Sequence, residues 1–194
     1  MASATAVRHH AVVSAPILLL VVLGLDAVLA AHPWSFLITG LLDEPAHLAT
    51  AGLILLALPL HVVSRYGGWM LIGSVAIDID HLPLYLGDRG FLVDGGRPPT
   101  HSLAVVVLLL LVALAIPAWR RPLNGLGCGV LAHFVRDVAT GPGLAVLWPA
   151  LPVTAKLPYS AYVGFLGLLT LGAILRNRAE QKAHPGCAPG DSLD

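Results

Sequence analysis

Nearly all the ionisable residues in or beside the apolar segments of this chain fall into four short clusters: Asp43-Glu44-Pro45-Ala46-His47, Asp78-Ile79-Asp80-His81, Thr100-His101-Ser102 and His133-Phe134-Val135-Arg136-Asp137. Residues three or four apart share a helix face, so His133 and Asp137 can present an imidazole and a carboxylate to one ion. The same spacing equally makes a buried His–Asp ion pair. Asp78 and His81 repeat it just before Pro83, which is expected to end or kink the helix near the site. On a regular helix Asp80 would point about 200° away from Asp78, there either to serve a second ion or to cap a distorted turn. Pro45 suits a first turn, so the first cluster reads as a helix start. Asp43 or Glu44 then caps that helix, or Glu44 and His47 face the site. Thr100 can cap the next helix, leaving His101 at its first position, turned outward.

Neutral imidazoles with carboxylates suit Zn²⁺, with Mn²⁺ or Fe²⁺ as alternatives, and the number of donors suggests two or three ions. The metal ligands expected are His47, Asp78, His81, His101, His133 and Asp137. Clustered divalent ions activate water near neutral pH and clamp the attacking and leaving oxygens of a phosphoryl group. Glu44 or Asp80 would be the general base. Arg97 and Arg136 are candidates to bind phosphate; the plain alternatives are a loop cation at Arg97 and a salt bridge from Arg136 to Asp137 or Asp80.

The elements that must position these groups are apolar. The 194 residues are 57% hydrophobic and 11% charged, with a mean hydropathy of +0.82, whereas soluble domains carry roughly 25% charged residues. The chain belongs in a bilayer, where each charged side chain costs roughly 2.5–3.5 kcal/mol at depth, so retained ones point to function. Eleven basic and eleven acidic residues leave no basic surface for nucleic acid. Two cysteines, Cys128 in an apolar segment and Cys187 in a polar tail, give no disulfide framework.

The expected fold is an all-α bundle of about six transmembrane helices, at 11–31, 46–65, 68–86, 101–118, 124–140 and 158–175, forming one domain over 1–176. The fifth segment is rich in glycine and carries His133, Arg136 and Asp137, so it should be shielded by other helices. With the N-terminus in the cytoplasm, Arg8, Arg65, Arg120, Arg121, Arg176, Arg178 and Lys182 lie inside, and Arg89, Arg97 and Lys156 outside. That topology, argued from Lys and Arg alone, brings all four clusters to the extracytoplasmic face. Arg8 with the apolar run after it also reads as a signal peptide, against which Asp26 and the length of the run argue; cleavage after Ala30 would leave the clusters on the same side. His32 and His61 read as structural, and 177–194 as a disordered cytoplasmic tail.

Taken in order, the runs "EPAHLATAGLIL", "SVAIDIDHLPLYLG", "GRPPTHSLAVVVLLLL" and "GVLAHFVRDVATGPGLAVLWP" resemble the YdjM-like family of bacterial inner-membrane proteins over about 44–160. The resemblance implies a membrane-bound metal-dependent hydrolase, from a family with a LexA-regulated member and a distant kinship to zinc-dependent phospholipase C and P1-type nucleases. It supports His47, Asp78, Asp80, His81, His101, His133 and Asp137 as the polar set. The expected substrate is a lipid phosphate or diphosphate in the bilayer, cleaved by metal-activated water. Two departures stand out. Gly96 occupies the place of a usual His ahead of Thr-His-Ser, and Ile77 that of a usual Pro, which should leave the third span straighter.

A metal-ion or proton-coupled transporter is the alternative from another class. It would need the polar path to continue toward the cytoplasm, for which Asp26 and His61 are the visible candidates. A third reading is a nonenzymatic membrane partner pinned by a structural metal.

Overall fold

A computed structural model describes residues 11–87, 90, 92–93, 96–151 and 153–183. These residues are helical apart from turns, loops and one isolated antiparallel bridge, Leu144 with Ala155. The longer helices are α1 (Ala11–Ala31), α2 (Phe36–Ala57), α3 (Leu60–Ala76), α4 (Leu103–Ala115), α5 (Arg120–Asp137) and α6 (Tyr159–Ala183). Residues Tyr159–Lys182 of α6, and α1 as a whole, are long and apolar enough to cross a membrane; α4 is apolar but shorter.

Several boundaries differ from the sequence reading. Ser35 caps α2, its hydroxyl accepting from the Ile38 amide, so α2 starts ten residues before the expected 46. Pro45 therefore lies inside the helix rather than in its first turn, and Asp43, Glu44 and His47 project from mid-helix. The break between α2 and α3 falls at Leu58-Pro59, because Leu58 is extended and Pro59 opens the new helix. At the other terminus α6 runs to Ala183, through part of the tail expected to be disordered; residues 184–194 lie outside the described residues.

Beyond Ala76 the chain tightens into a 3₁₀ turn, Ile77–His81, followed by the single helical turn Leu82–Tyr85. This is not the straighter span expected from Ile77. Three residues per turn place Asp78 and His81 directly above one another.

Glycines set the closest helix pair. A Cβ on Gly73 would collide with the Leu126 backbone, one on Gly129 with the Met70 carbonyl, and one on Gly125 with Trp69. α3 and α5 can therefore approach backbone to backbone, which brings His133 of α5 beside Ser74 of α3. Apolar packing of Leu53, Val22 and Leu166 ties α2 to α1 and α6 on its other side.

The polarity of the molecule is inverted relative to a water-soluble protein. Arg136, His47, His101, His133 and Asp137 are among the largest fully buried side chains, while Leu20, Leu114 and Leu168 are about two-thirds or more exposed, at 67%, 68% and 70%. An apolar exterior around an ionisable interior is what a hydrocarbon solvent selects.

Candidate metal centre

Two helices, a 3₁₀ turn and the segment before α4 converge on the interior cluster. Mid-α2 supplies Asp43, Glu44 and His47, and the 3₁₀ turn supplies Asp78, Asp80 and His81. The segment before α4 supplies Arg97 and His101, and the last turn of α5 supplies His133, Arg136 and Asp137. All of the expected site residues thus meet at one end of the bundle.

Two donor groups can each hold an ion, Asp78/Asp80/His81/His101 and His47/His133/Asp137. In the second, Nε2 of His133 stands 3.0 Å from Oδ2 of Asp137, and Nε2 of His47 stands 3.5 Å from Oδ1 of Asp137. In the first, Nε2 of His101 lies 3.0 Å from Oδ1 of Asp78, and Nδ1 of His81 lies 3.1 Å from the same oxygen. Ligand atoms about 2.0–2.2 Å from one tetrahedral ion stand roughly 3.3–3.5 Å from each other, so the His47–Asp137 spacing matches and the three shorter ones would open by a few tenths of an ångström around an ion. The groups adjoin: His101 Nε2 is 3.6 Å from Asp137 Oδ2, and His133 Nε2 is 3.6 Å from Asp78 Oδ1. Asp78 and Asp137 sit at the junction.

Hydrogen bonding shows why these side chains are not a self-sufficient network. Nδ1 of His133 lies 2.9 Å from the Ser74 carbonyl, which can only accept, so the proton is on Nδ1. Nε2 of the same ring faces the Asp137 carboxylate at 3.0 Å, a contact that needs either a second ring proton or a cation held between the two. Both ring nitrogens of His47 and Nδ1 of His81 are buried without a hydrogen-bond partner. His81 Nδ1 and Asp80 Oδ1 are 2.8 Å apart yet not aligned to bond. The His47 and His133 rings stack at 3.6 Å and 6°, a parallel contact disfavoured if both carried a proton charge.

Charge balance gives the same answer. Asp26, Asp43, Glu44, Asp78, Asp80 and Asp137 meet two guanidinium groups, Arg97 and Arg136, leaving four negative charges unmatched when all six are ionised. Burying unpaired charge is costly enough that protons or divalent ions must compensate.

The second contacts correct several expectations. Thr100 does not cap α4; its hydroxyl donates to Asp80, and Ser102 occupies the N-cap without a side-chain cap bond. Asp80 does not point away from Asp78. The 3₁₀ turn brings both against His81 and His101, whose Nδ1 lies 3.0 Å from Asp80 Oδ2. Arg136 pairs with Asp26 and Asp43, not with Asp137 or Asp80. Arg97 donates to Asp137 at 2.9 Å and to the Gly143 carbonyl at 3.3 Å.

Asp26 was the residue whose place sequence reasoning missed. It lies on α1, accepts from Arg136, and accepts from the Tyr159 hydroxyl of α6 at 2.8 Å. It joins the same site instead of continuing a path toward the opposite end. An acidic residue alone in a 21-residue apolar helix was the available signal.

Beside the cluster lies a cavity of about 770 Å³, onto which Glu44, Asp78, His81, Arg97 and Arg136 face. Gly96, with φ +74°, forms part of its wall, and nothing lies within 4 Å of the place a side chain would take.

A family model described as YdjM inner membrane protein matches residues 42–188. That match extends past the 44–160 stretch carrying the legible motifs and takes in α6, while α1 precedes it. The inner membrane proteins YdjM of Escherichia coli (strain K12) and of Shigella flexneri are each 33% identical over 105 residues, 45% of this chain and 54% of the relative. The chain thus spans about half the length of the curated relatives it matches. No solved structure matches.

Proposed function

Because the chain belongs to the YdjM inner membrane protein family, we propose that it is a membrane-bound, metal-dependent phosphoesterase acting on a lipid phosphate or diphosphate. The observation that carries this reading is the pair of adjoining imidazole–carboxylate groups, largely buried, in which both ring nitrogens of His47 and Nδ1 of His81 have no hydrogen-bond partner. His47, His133 and Asp137 would hold one divalent ion and Asp78, Asp80, His81 and His101 another, with zinc the best match to the donors. Bound there, such ions lower the pKa of a water and neutralise charge developing on a phosphoryl group.

The remaining residues divide the work. Glu44 is better placed than Asp80 as general base. Its Oε2 is buried without a partner and it faces the cavity, whereas Asp80 is occupied by Thr100 and His101. Glu44 Oε2 can therefore take the proton of the attacking water. Arg97 faces the cavity and contacts Asp137, so it orients that ligand and offers its remaining donors to phosphate. Ser74 fixes the tautomer of His133 through its carbonyl.

The six helices alternate in direction, so that the site end gathers the C-terminal halves of α1, α3 and α5 and the N-terminal halves of α2, α4 and α6. An 18-residue α5 is about 27 Å long, near the roughly 30 Å of a hydrocarbon core. A multi-pass arrangement with the arginine end in the cytoplasm puts the site at the extracytoplasmic face of the inner membrane. The transport alternative loses Asp26 to the site and keeps only His61 for its path.

Purified protein in detergent, supplied with Zn²⁺ or Mn²⁺, is expected to release phosphate from at least one lipid phosphate or diphosphate. His133→Ala and His101→Ala should each lower turnover by more than about 100-fold and reduce bound metal measured by elemental analysis. Folded, metal-loaded protein that is silent across a broad phosphoester panel would overturn the hydrolase reading.

A further inference from the structure

The cavity is much larger than the chemistry requires, and its two sides differ. A phosphate group needs only a small fraction of about 770 Å³, a volume in the range of roughly 300–1,000 Å³ that holds whole small molecules. The inner side is the charged cluster. The outer side is lined by Leu23, Ala27 and Ala30 of α1 and by Phe36 of α2.

The three α1 residues are spaced i, i+4, i+7 and form one stripe, which also carries Asp26. Both carboxylate oxygens of Asp26 are taken up, by Arg136 and by the Tyr159 hydroxyl. With that charge paired, the rest of the stripe is apolar. Ala27, Ala30 and Phe36 line the cavity and are exposed, and their neighbours Val28 and Leu37, which do not line it, are exposed as well, which puts the cavity's edge at the molecular surface between the ends of α1 and α2. α1 itself is a candidate membrane span, and only 11% of its apolar window is buried. That edge faces hydrocarbon in a bilayer. A water-soluble phosphoester would gain nothing from an apolar side door; a molecule with an anionic head and a hydrocarbon chain matches both walls at once.

We infer that the α1 stripe and Phe36 form the chain-binding half of the substrate site, so the ligand is a single amphiphile whose alkyl or isoprenyl chain enters laterally between α1 and α2 while its phosphate reaches Arg97 and the metal ligands. The head-group end of this assignment rests on the phosphoesterase reading. The chain-binding wall comes from a helix that precedes the family-matched segment, so this part of the site is built by sequence outside the shared motifs. Small side chains at Ala27 and Ala30 keep the entrance open.

The test uses the full chain in nanodiscs with a long-chain alkyl phosphate bearing a diazirine in its chain. Crosslinks should concentrate on Leu23–Ala30 and Phe36, and unlabelled alkyl phosphate should compete them away while the corresponding alkyl alcohol should not. Ala27→Trp and, as a milder filling, Ala30→Leu should each lower crosslinking there by about tenfold or more, with bound metal unchanged by elemental analysis. Crosslinks spread evenly over the lipid-facing helices, or equal competition by the alcohol, would overturn the assignment. So would phosphate release from the alkyl phosphate with no labelling of α1, a result that leaves the hydrolase reading standing. Head-dependent labelling of α1 in protein that releases no phosphate from any ester would support the chain site and remove the hydrolase reading.

Discussion

The two ends of this bundle hold their charged side chains by opposite means. At one end Arg120 donates to the Ala113 carbonyl at 3.2 Å and Arg176 to the Ala57 carbonyl at 3.0 Å, in the last turns of α4 and α2. Arg121 reaches the carbonyl of Arg65 at 2.6 Å. These cations are satisfied by backbone oxygens that the helices leave without partners or can share. At the other end carboxylates and imidazoles face one another, His47 and His81 have unpartnered buried nitrogens, and negative charge exceeds positive. The first end is complete within the chain. The second carries negative charge that protons or added cations must balance, which makes it the candidate site and makes the ends differ in how substitutions will act.

The strongest way to break that contrast is to remove the more buried of the two cations at the acidic end. Arg136 is 1% exposed and pairs with Asp26 and Asp43 across three helices. Arg136→Met should destabilise the protein by about 3–5 kcal/mol, because it leaves two carboxylates in the interior without their partner. Thermal unfolding in detergent measures this, and adding Asp26→Asn should recover part of the loss. An unfolding temperature close to that of the unsubstituted chain would show that the acidic end is not held by mutual compensation.

A subtler substitution separates fold from metal. Arg97 orients Asp137 through a 2.9 Å charge-assisted bond from a position before α4. Arg97→Gln should weaken metal retention by roughly 10–100-fold, the usual effect of losing a contact that orients a ligand, as read by competition against a chelator of known affinity. Metal retention equal to that of the unsubstituted protein would reduce Arg97 to an ordinary loop cation.

The ends also differed in how far they could be read from sequence. His133 and Asp137 were legible because one helical turn separates them and α5 stays regular through both. Asp78, Asp80 and His81 were legible as a group but not in their geometry. A 3₁₀ turn leaves no separate mark in a short sequence, and it is what brings Asp80 to His101. The α2–α3 break was missed because Leu58 and Leu60 flank Pro59 with unbroken apolar sequence, so hydropathy does not dip where the helix ends. Asp26 was visible, but its partner Arg136 lies 110 residues away and only packing of α1 on α2 and α6 joins them. Spacing reports local geometry; the long-range pairs had to come from the fold.

The smallest expected effect completes the contrast from the opposite end. Arg176 bonds the Ala57 carbonyl and pairs with Glu180 at 3.1 Å, with its side chain 29% exposed. Interactions of a cation with a helix C-terminus contribute roughly 0.3–1 kcal/mol, and an exposed i, i+4 pair less than that. Arg176→Gln keeps a donor for the carbonyl, so it should cost at most about 1 kcal/mol in detergent unfolding and leave bound metal and phosphate release unchanged. A loss of metal in this variant would mean that the ends are coupled through α2 and α6, and that the arginine end sets the geometry of the acidic one.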